Sequence, residues 1–199
     1  MNWGEIQLES LKKMFLNSDI LSVDKLEEYK KDKKYKTYLD AMPQATNEAI
    51  NYILENGRSY ISSFELEKND TNKYNLPKLI DKFKRIHEIS YDGNNILNYH
   101  TEGNNVLVIK NWSDGNITIY YESYLDRITN ETSNDYKIDL DNQLLSLIPL
   151  YIAGELYKDD DISMATQYLN EFMSQVNTLK DKDYSFGPDS IRTVYSMYV

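Results

Sequence analysis

Ile148-Pro149-Leu150-Tyr151-Ile152-Ala153-Gly154-Glu155-Leu156-Tyr157-Lys158-Asp159-Asp160-Asp161 decides how the last third of the chain is read. Leu144, Leu147, Ile148, Tyr151, Ile152 and Leu156 recur at helical spacing and make a broad apolar stripe, interrupted only by Pro149, which predicts a kink. Lys158 to Asp161 is a polar turn. After it, Met164, Ala165, Tyr168, Leu169, Phe172, Met173 and Val176 define the inward face of a second helix. Two helices joined by so short a turn pack as a helical hairpin. Ala153, Gly154 and Ala165 are small enough to let the helices approach closely, with Tyr151, Tyr168 and Phe172 packing around them and Tyr157, Asp160 and Asn170 placed to fix the turn by hydrogen bonds. Clustered acids such as Asp160 and Asp161 can hold a divalent cation, but directly before a helix they cap its free N–H groups, and no EF-hand glycine or distal glutamate follows.

Working back from the hairpin, Trp3 to Leu16 reads as an amphipathic helix, with Ile6, Leu11, Met14 and Phe15 at helical spacing and Lys12 and Lys13 near its end. Asn17-Ser18-Asp19 breaks it, and the charged stretch Leu26 to Lys36 reads as a solvated helix or loop. Tyr38, Leu39 and Met42 continue an apolar face. Pro43 marks a new first turn, leading into Ala45, Ala49, Ile50, Ile53 and Leu54, and Asn56-Gly57 reads as a left-handed C-cap.

In the middle the period changes from helical to alternating. Ile86 to Tyr91, Ile96 to His100, Val106 to Lys110 and Ile117 to Tyr121 are strand-like runs, separated by Asp92-Gly93-Asn94-Asn95, Glu102-Gly103-Asn104-Asn105 and Asp114-Gly115-Asn116. These predict an antiparallel β-meander. Beyond Tyr184-Ser185-Phe186-Gly187-Pro188, the run Ser190 to Val199 has period-two character. Ile191, Val194, Tyr195, Met197, Tyr198 and Val199 suit a docking arm better than a core.

The expected fold is therefore α+β: a mainly α-helical bundle core, an inserted antiparallel β-meander lobe and a C-terminal extended arm. The divisions are 1–57 for the N-terminal helices, 58–128 for the β lobe, 129–181 for a linker with the hairpin, and 182–199 for the arm.

Composition removes whole classes of chemistry. The chain has 199 residues, long enough for a true core, with 41% hydrophobic and 27% charged residues, in the range of folded globular proteins. Zero cysteines exclude disulfides, thiol catalysis and iron–sulfur clusters, and two histidines, His87 and His100, lack any ligand spacing. No glycine-rich phosphate loop and no GxSxG elbow occur, and carboxylate pairs such as Glu65 with Glu67 arise by chance among 32 acids. No catalytic, cofactor or metal residue is assigned. A net charge of −10 argues against broad wrapping of nucleic acid. Without a basic–apolar leader or a membrane-length apolar run, a cytosolic site of synthesis with no membrane partner is expected. Eighteen tyrosines suit large protein interfaces, or an AT-rich genome. Trp112, Tyr120 and Tyr121 offer a second reading, in which aromatics of the β lobe stack on sugars of a glycan or host surface.

The segment Leu147 to Asp161 with Ala165-Thr166-Gln167-Tyr168-Leu169-Asn170-Glu171-Phe172 resembles the helical hairpin of tailed-bacteriophage head-tail connector (adaptor, or head completion) proteins. Trp3-Gly4-Glu5-Ile6 and Tyr38-Leu39-Asp40-Ala41-Met42-Pro43-Gln44-Ala45-Thr46-Asn47-Glu48-Ala49 resemble their N-terminal helices. These segments lie towards the two ends of the chain and in the family's order. The resemblance implies a non-enzymatic structural subunit. About twelve copies would close a homo-oligomeric ring beneath the portal protein, at the virion neck, joining it to the stopper or tail-terminator protein while DNA passes through the lumen without specific binding. Assembly would take place in the bacterial host cytoplasm, and the run from Ile191 to Val199 would dock on portal or on a neighbouring subunit.

Overall fold

A computed structural model describes residues 1–15, 22–57, 59–92, 98–103, 105–110, 112 and 115–183. The segment read as a docking arm, with Ile191, Val194, Tyr195, Met197, Tyr198 and Val199, lies outside the described residues, as does the predicted break at Asn17 to Asp19. The fold is α+β, with helices and antiparallel sheets in two compact units. One unit is Met1–Arg58 together with Asp126–Val199, and the other is Ser59–Leu125.

The helical unit begins with α1 (Trp3–Phe15), whose start is a reciprocal capping box. The Glu5 N–H donates to Asn2 Oδ1 and the Asn2 N–H to Glu5 Oε2, both at 2.8 Å. After a 3-10 turn at Val23–Lys25 come the one-turn α2 (Leu26–Tyr29) and the long α3 (Lys33–Asn56), N-capped by the Asp32 side chain. The predicted restart at Pro43 does not occur: α3 runs through it. Proline there removes one backbone donor, yet Leu39, Met42, Pro43 and Thr46 are all buried, and that packing outweighs the lost bond. Gly57 is not left-handed either, with φ −110. Glycine is required there for space, since a Cβ would lie 2.8 Å from the Ile53 carbonyl oxygen.

The stripe predicted from Leu144 onward is two helices, α5 (Asn142–Leu145) and α6 (Ile148–Leu156). Pro149 sits in the first turn of α6, where its missing N–H has no intrahelical partner to lose, so it starts a helix rather than kinking one. α6 contacts α1, α3, α5 and α7 (Ile162–Asp183). That explains its composition, because a helix packed on several sides reads as apolar all round. Ile148, Ile152 and Ala153 are fully buried, as are Ile6, Leu11, Met42, Ile53, Ala165 and Phe172 on the neighbouring helices.

The other unit has β1 (Ile61–Leu66), β2 (Lys73–Asn75), the one-turn α4 (Leu76–Leu79), β3 (Phe83–Tyr91), β4 (Tyr99–Glu102), β5 (Val106–Ile109) and β6 (Ile117–Ser123). These make two three-stranded antiparallel sheets, β1-β6-β3 and β2-β5-β4. The expected meander is corrected here. Only β4 and β5 pair as sequential neighbours among the four predicted strands, and β3 pairs β6 across them. Gly-containing turns mark where strands end. Partner choice follows instead from the shared apolar face on which Ile89, Leu107, Ile109, Ile117 and Ile119 meet.

Candidate functional site

The hairpin of α6 and α7 is built locally by its turn and globally by its tyrosines. α6 ends as the Tyr157 N–H bonds the Ala153 carbonyl at 3.1 Å. The Tyr157 carbonyl then accepts from the N–H groups of Asp160 and Asp161, at 3.2 and 2.9 Å. Asp161 is the cap of α7, its Oδ1 accepting from the Ser163 and Met164 N–H groups at 3.0 Å each. Asp160, read from sequence as a second cap, takes a different partner: its carboxylate accepts the hydroxyl proton of Tyr38 on α3.

Closest approach falls at Gly154. A Cβ built there would stand 2.7 Å from Leu169 Cγ and 3.1 Å from the Ala165 carbonyl oxygen. The hydrogen side chain of Gly154 thus admits this close approach of α6 and α7, with Ala153 and Ala165 fully buried beside it in sequence and across the hairpin. One turn further along α7, Phe172 is wholly buried between Tyr151, at 5.1 Å and edge-on, and Tyr52, at 5.3 Å. Ring pairs of this geometry add roughly 0.5–1.5 kcal/mol beyond area burial.

Three phenols tie the hairpin to the other helices. Tyr38 reaches Asp160, Tyr151 donates to Glu48 Oε2 on α3 at 3.4 Å, and Tyr168 donates to the Lys13 carbonyl on α1 at 2.9 Å. The hydrogen bond to Asp160, with burial and the charge of that carboxylate, pushes the Tyr38 phenol up to about 12. Burial, then the charges of Glu155 and Glu48, push Tyr151 up to about 12 as well. Burial also raises Tyr168. The partners Tyr38, Glu48 and Lys13 were missed in the sequence because each lies more than 100 residues from the group it binds. Only the number of tyrosines hinted at them.

Beside Tyr38, an aromatic cluster closes the junction of α1 and α3. Phe15 meets Tyr35 at 5.1 Å and Tyr38 at 5.3 Å, both edge-on, with the Lys34 ammonium 5.0 Å from the Phe15 ring. An open groove of about 420 Å³ runs past it, with Lys33 and Lys34 on one wall and Glu155, Asp159 and Asp160 on the other.

In the β unit, Trp112 is buried in the core and donates its indole N–H to the Gly115 carbonyl at 3.1 Å. It therefore presents no stacking platform, leaving exposed Tyr120 and half-buried Tyr121 of the aromatics read as sugar-binding. His87 is exposed on β3, and His100 Nε2 lies 3.3 Å from Glu102 Oε1 on an exposed strand. Glu122 is the notable buried acid, 2.7 Å from the Arg85 guanidinium and 3.7 Å from the Lys84 ammonium. Burial pushes its carboxyl up, and the Arg85 bond and charge, together with a Ser59 hydrogen bond and the Lys84 charge, more than reverse this, leaving it below the usual carboxylate range. Among the described residues no group of three or more His, Cys, Asp or Glu side chains could hold a metal, and no helix is long and apolar enough to cross a membrane.

No protein-family model matches the chain, and no curated protein matches it.

Proposed function

We propose that the chain is a structural head-tail adaptor of a tailed bacteriophage. Identical copies form a ring beneath the portal, at the virion neck, connecting the capsid vertex to the stopper or tail and leaving a lumen for DNA. One observation carries this reading: the segments that resemble adaptor helices all belong to one helical unit. Trp3 to Ile6 lies on α1, Tyr38 to Ala49 on α3, Leu147 to Asp161 spans α6 and the turn, and Ala165 to Phe172 lies on α7, with α1, α3 and α7 all in contact with α6. A hairpin held by interlocked small residues and three phenol ties is stiff enough to repeat around an axis, a heterologous contact that closes when the subunit is a rigid wedge. The net charge of −10 would keep a lumen lined by these subunits from binding the DNA that passes through it.

Electron microscopy of the purified chain mixed with portal protein tests the proposal. Rings of about twelve copies seated on the portal are expected from the resemblance. Unchanged portal particles at saturating concentration would overturn it.

A further inference from the structure

β1 is the edge of its sheet: among the described residues its one strand partner is β6. An edge strand presents a row of backbone N–H and C=O groups ready to pair with another chain, and proteins blunt such edges with prolines, inward charges or covering loops. The sequence Ile61-Ser62-Ser63-Phe64-Glu65-Leu66 has no proline and no lysine. Along it runs a groove of about 380 Å³ lined by Phe64, Leu66, Tyr74 and Leu79, with Glu65, Glu67, Lys68 and Asn69 also on its walls. Ile61 and Leu79 are 44% and 49% exposed, high for large aliphatic side chains. Such an edge, beside an apolar groove whose rim carries two acids and one lysine, fits an extended strand that alternates apolar side chains and brings a positive charge to Glu67.

The chain contains a sequence of this pattern. From Ile191, alternate residues are Ile191, Thr193, Tyr195, Met197 and Val199, and the opposite parity carries Arg192, Val194, Ser196 and Tyr198. Antiparallel addition to β1 in the register that sets Tyr195 across from Phe64 also sets Arg192 across from Glu67 and Tyr198 across from Ile61. Aromatic and opposite-charge cross-strand pairs of this kind are the stabilising ones.

We propose that the free edge of β1 and its groove receive the Ile191–Val199 run of a second copy of this chain, adding it to the β1-β6-β3 sheet as a fourth strand. The inference rests on the reading of the chain as a self-assembling subunit and names the contact. Donor run and receiving edge are different surfaces, so the contact is head-to-tail.

The test uses two full-length variants, one dead at the edge (Ile61→Asp with Leu79→Asp, both exposed positions) and one dead in the run (Tyr195→Asp with Met197→Asp). Sedimentation velocity of the parent chain should show concentration-dependent association, weakened at least tenfold in each variant alone. Mixing the two variants should restore a single junction and stop at a 1:1 heterodimer. Should the edge variant lose its fold by circular dichroism, a charge exchange replaces it: Glu67→Lys and Arg192→Glu each weaken association, and the double variant restores it. Association indifferent to both variants, or a monomeric parent chain whose own run is protected from protease only when its own edge is intact, overturns the inference. Rings that still form on portal with swap-dead variants would leave the adaptor reading standing without this contact, whereas an intact swap with no portal rings would do the reverse.

Discussion

The Tyr38 hydroxyl donates its proton to the Asp160 carboxylate, a bond that joins α3 to the hairpin turn across 122 positions of sequence. It makes that junction sensitive to base. Tyr38 and Tyr151 are both pushed up to about 12 in the folded chain, against about 10 for an unfolded tyrosine. Between these values the unfolded chain releases protons that the folded chain keeps. Stability is therefore whole below pH 10 and falls as the pH rises through 12. Thermal unfolding from pH 8 to 12 should show this decline, and a Tyr38→Phe, Tyr151→Phe double variant should be less stable at pH 8 but lose less on going to pH 12. A parallel decline in both proteins would refute the assignment.

Gly154→Ala should destabilise the helical unit even though alanine is the better helix former. Overpacking against Leu169 costs about 1–3 kcal/mol, against a propensity gain of roughly 1 kcal/mol. A net loss near 1 kcal/mol lowers Tm by about 2–4 °C in a chain of this size. A raised Tm would mean that α6 and α7 do not interlock at this residue.

Phe172→Ala removes a fully buried ring flanked by Tyr52 and Tyr151. A loss of about 3–5 kcal/mol is expected by denaturant titration, whereas Met173→Ala, one residue on and 38% exposed, should cost under about 1 kcal/mol. Equal costs would place the inward face of α7 elsewhere.

Arg85→Ala leaves the buried Glu122 carboxylate with the Ser59 hydrogen bond and Lys84 at 3.7 Å, but without its guanidinium. The β unit should lose about 1–3 kcal/mol at pH 7. Less should be lost at pH 4, where burial without Arg85 favours the protonated acid. Chemical denaturation at the two pH values checks the difference, and equal losses would show that the pair does not hold the charge.

Some of this was legible in the sequence and some was not, for physical reasons. Helical periodicity found α1, the body of α3, and most of the facing sides of α6 and α7, because a stripe at 3.6-residue spacing is a local signal; Met173, read as inward, is exposed. Of the small residues read as contact points, Gly154 stands against Leu169 and the Ala165 carbonyl. Asp161 was readable as a cap, but Asp160 beside it was not readable as the acceptor for Tyr38, since nothing local distinguishes two adjacent aspartates. Pro43 and Pro149 look alike in sequence, yet one lies inside a helix and the other starts one; the packing around Pro43 and the position of Pro149 after α5 decide. In the β unit the turn residues located strand ends, while the pairing of β3 with β6 depended on which apolar faces meet, information spread from Phe83 to Ser123.

The helical unit is made from both ends of the chain, with Ser59–Leu125 between them. Trp3 and Gly4 donate their backbone N–H groups to the carbonyls of Tyr136 and Asn134 at 2.8 Å, and α6, against which α1 and α3 pack, begins only at Ile148. During synthesis, at about 5–20 residues per second, the first two long helices therefore wait several seconds or more with Ile6, Leu11, Ile50 and Ile53 uncovered while the interposed sheet residues emerge. The continuous β unit can mature during this interval, and its partner cannot. A nascent chain arrested before Ile148 should thus be the form most dependent on chaperones, and the translation rate across the β segment becomes a determinant of yield.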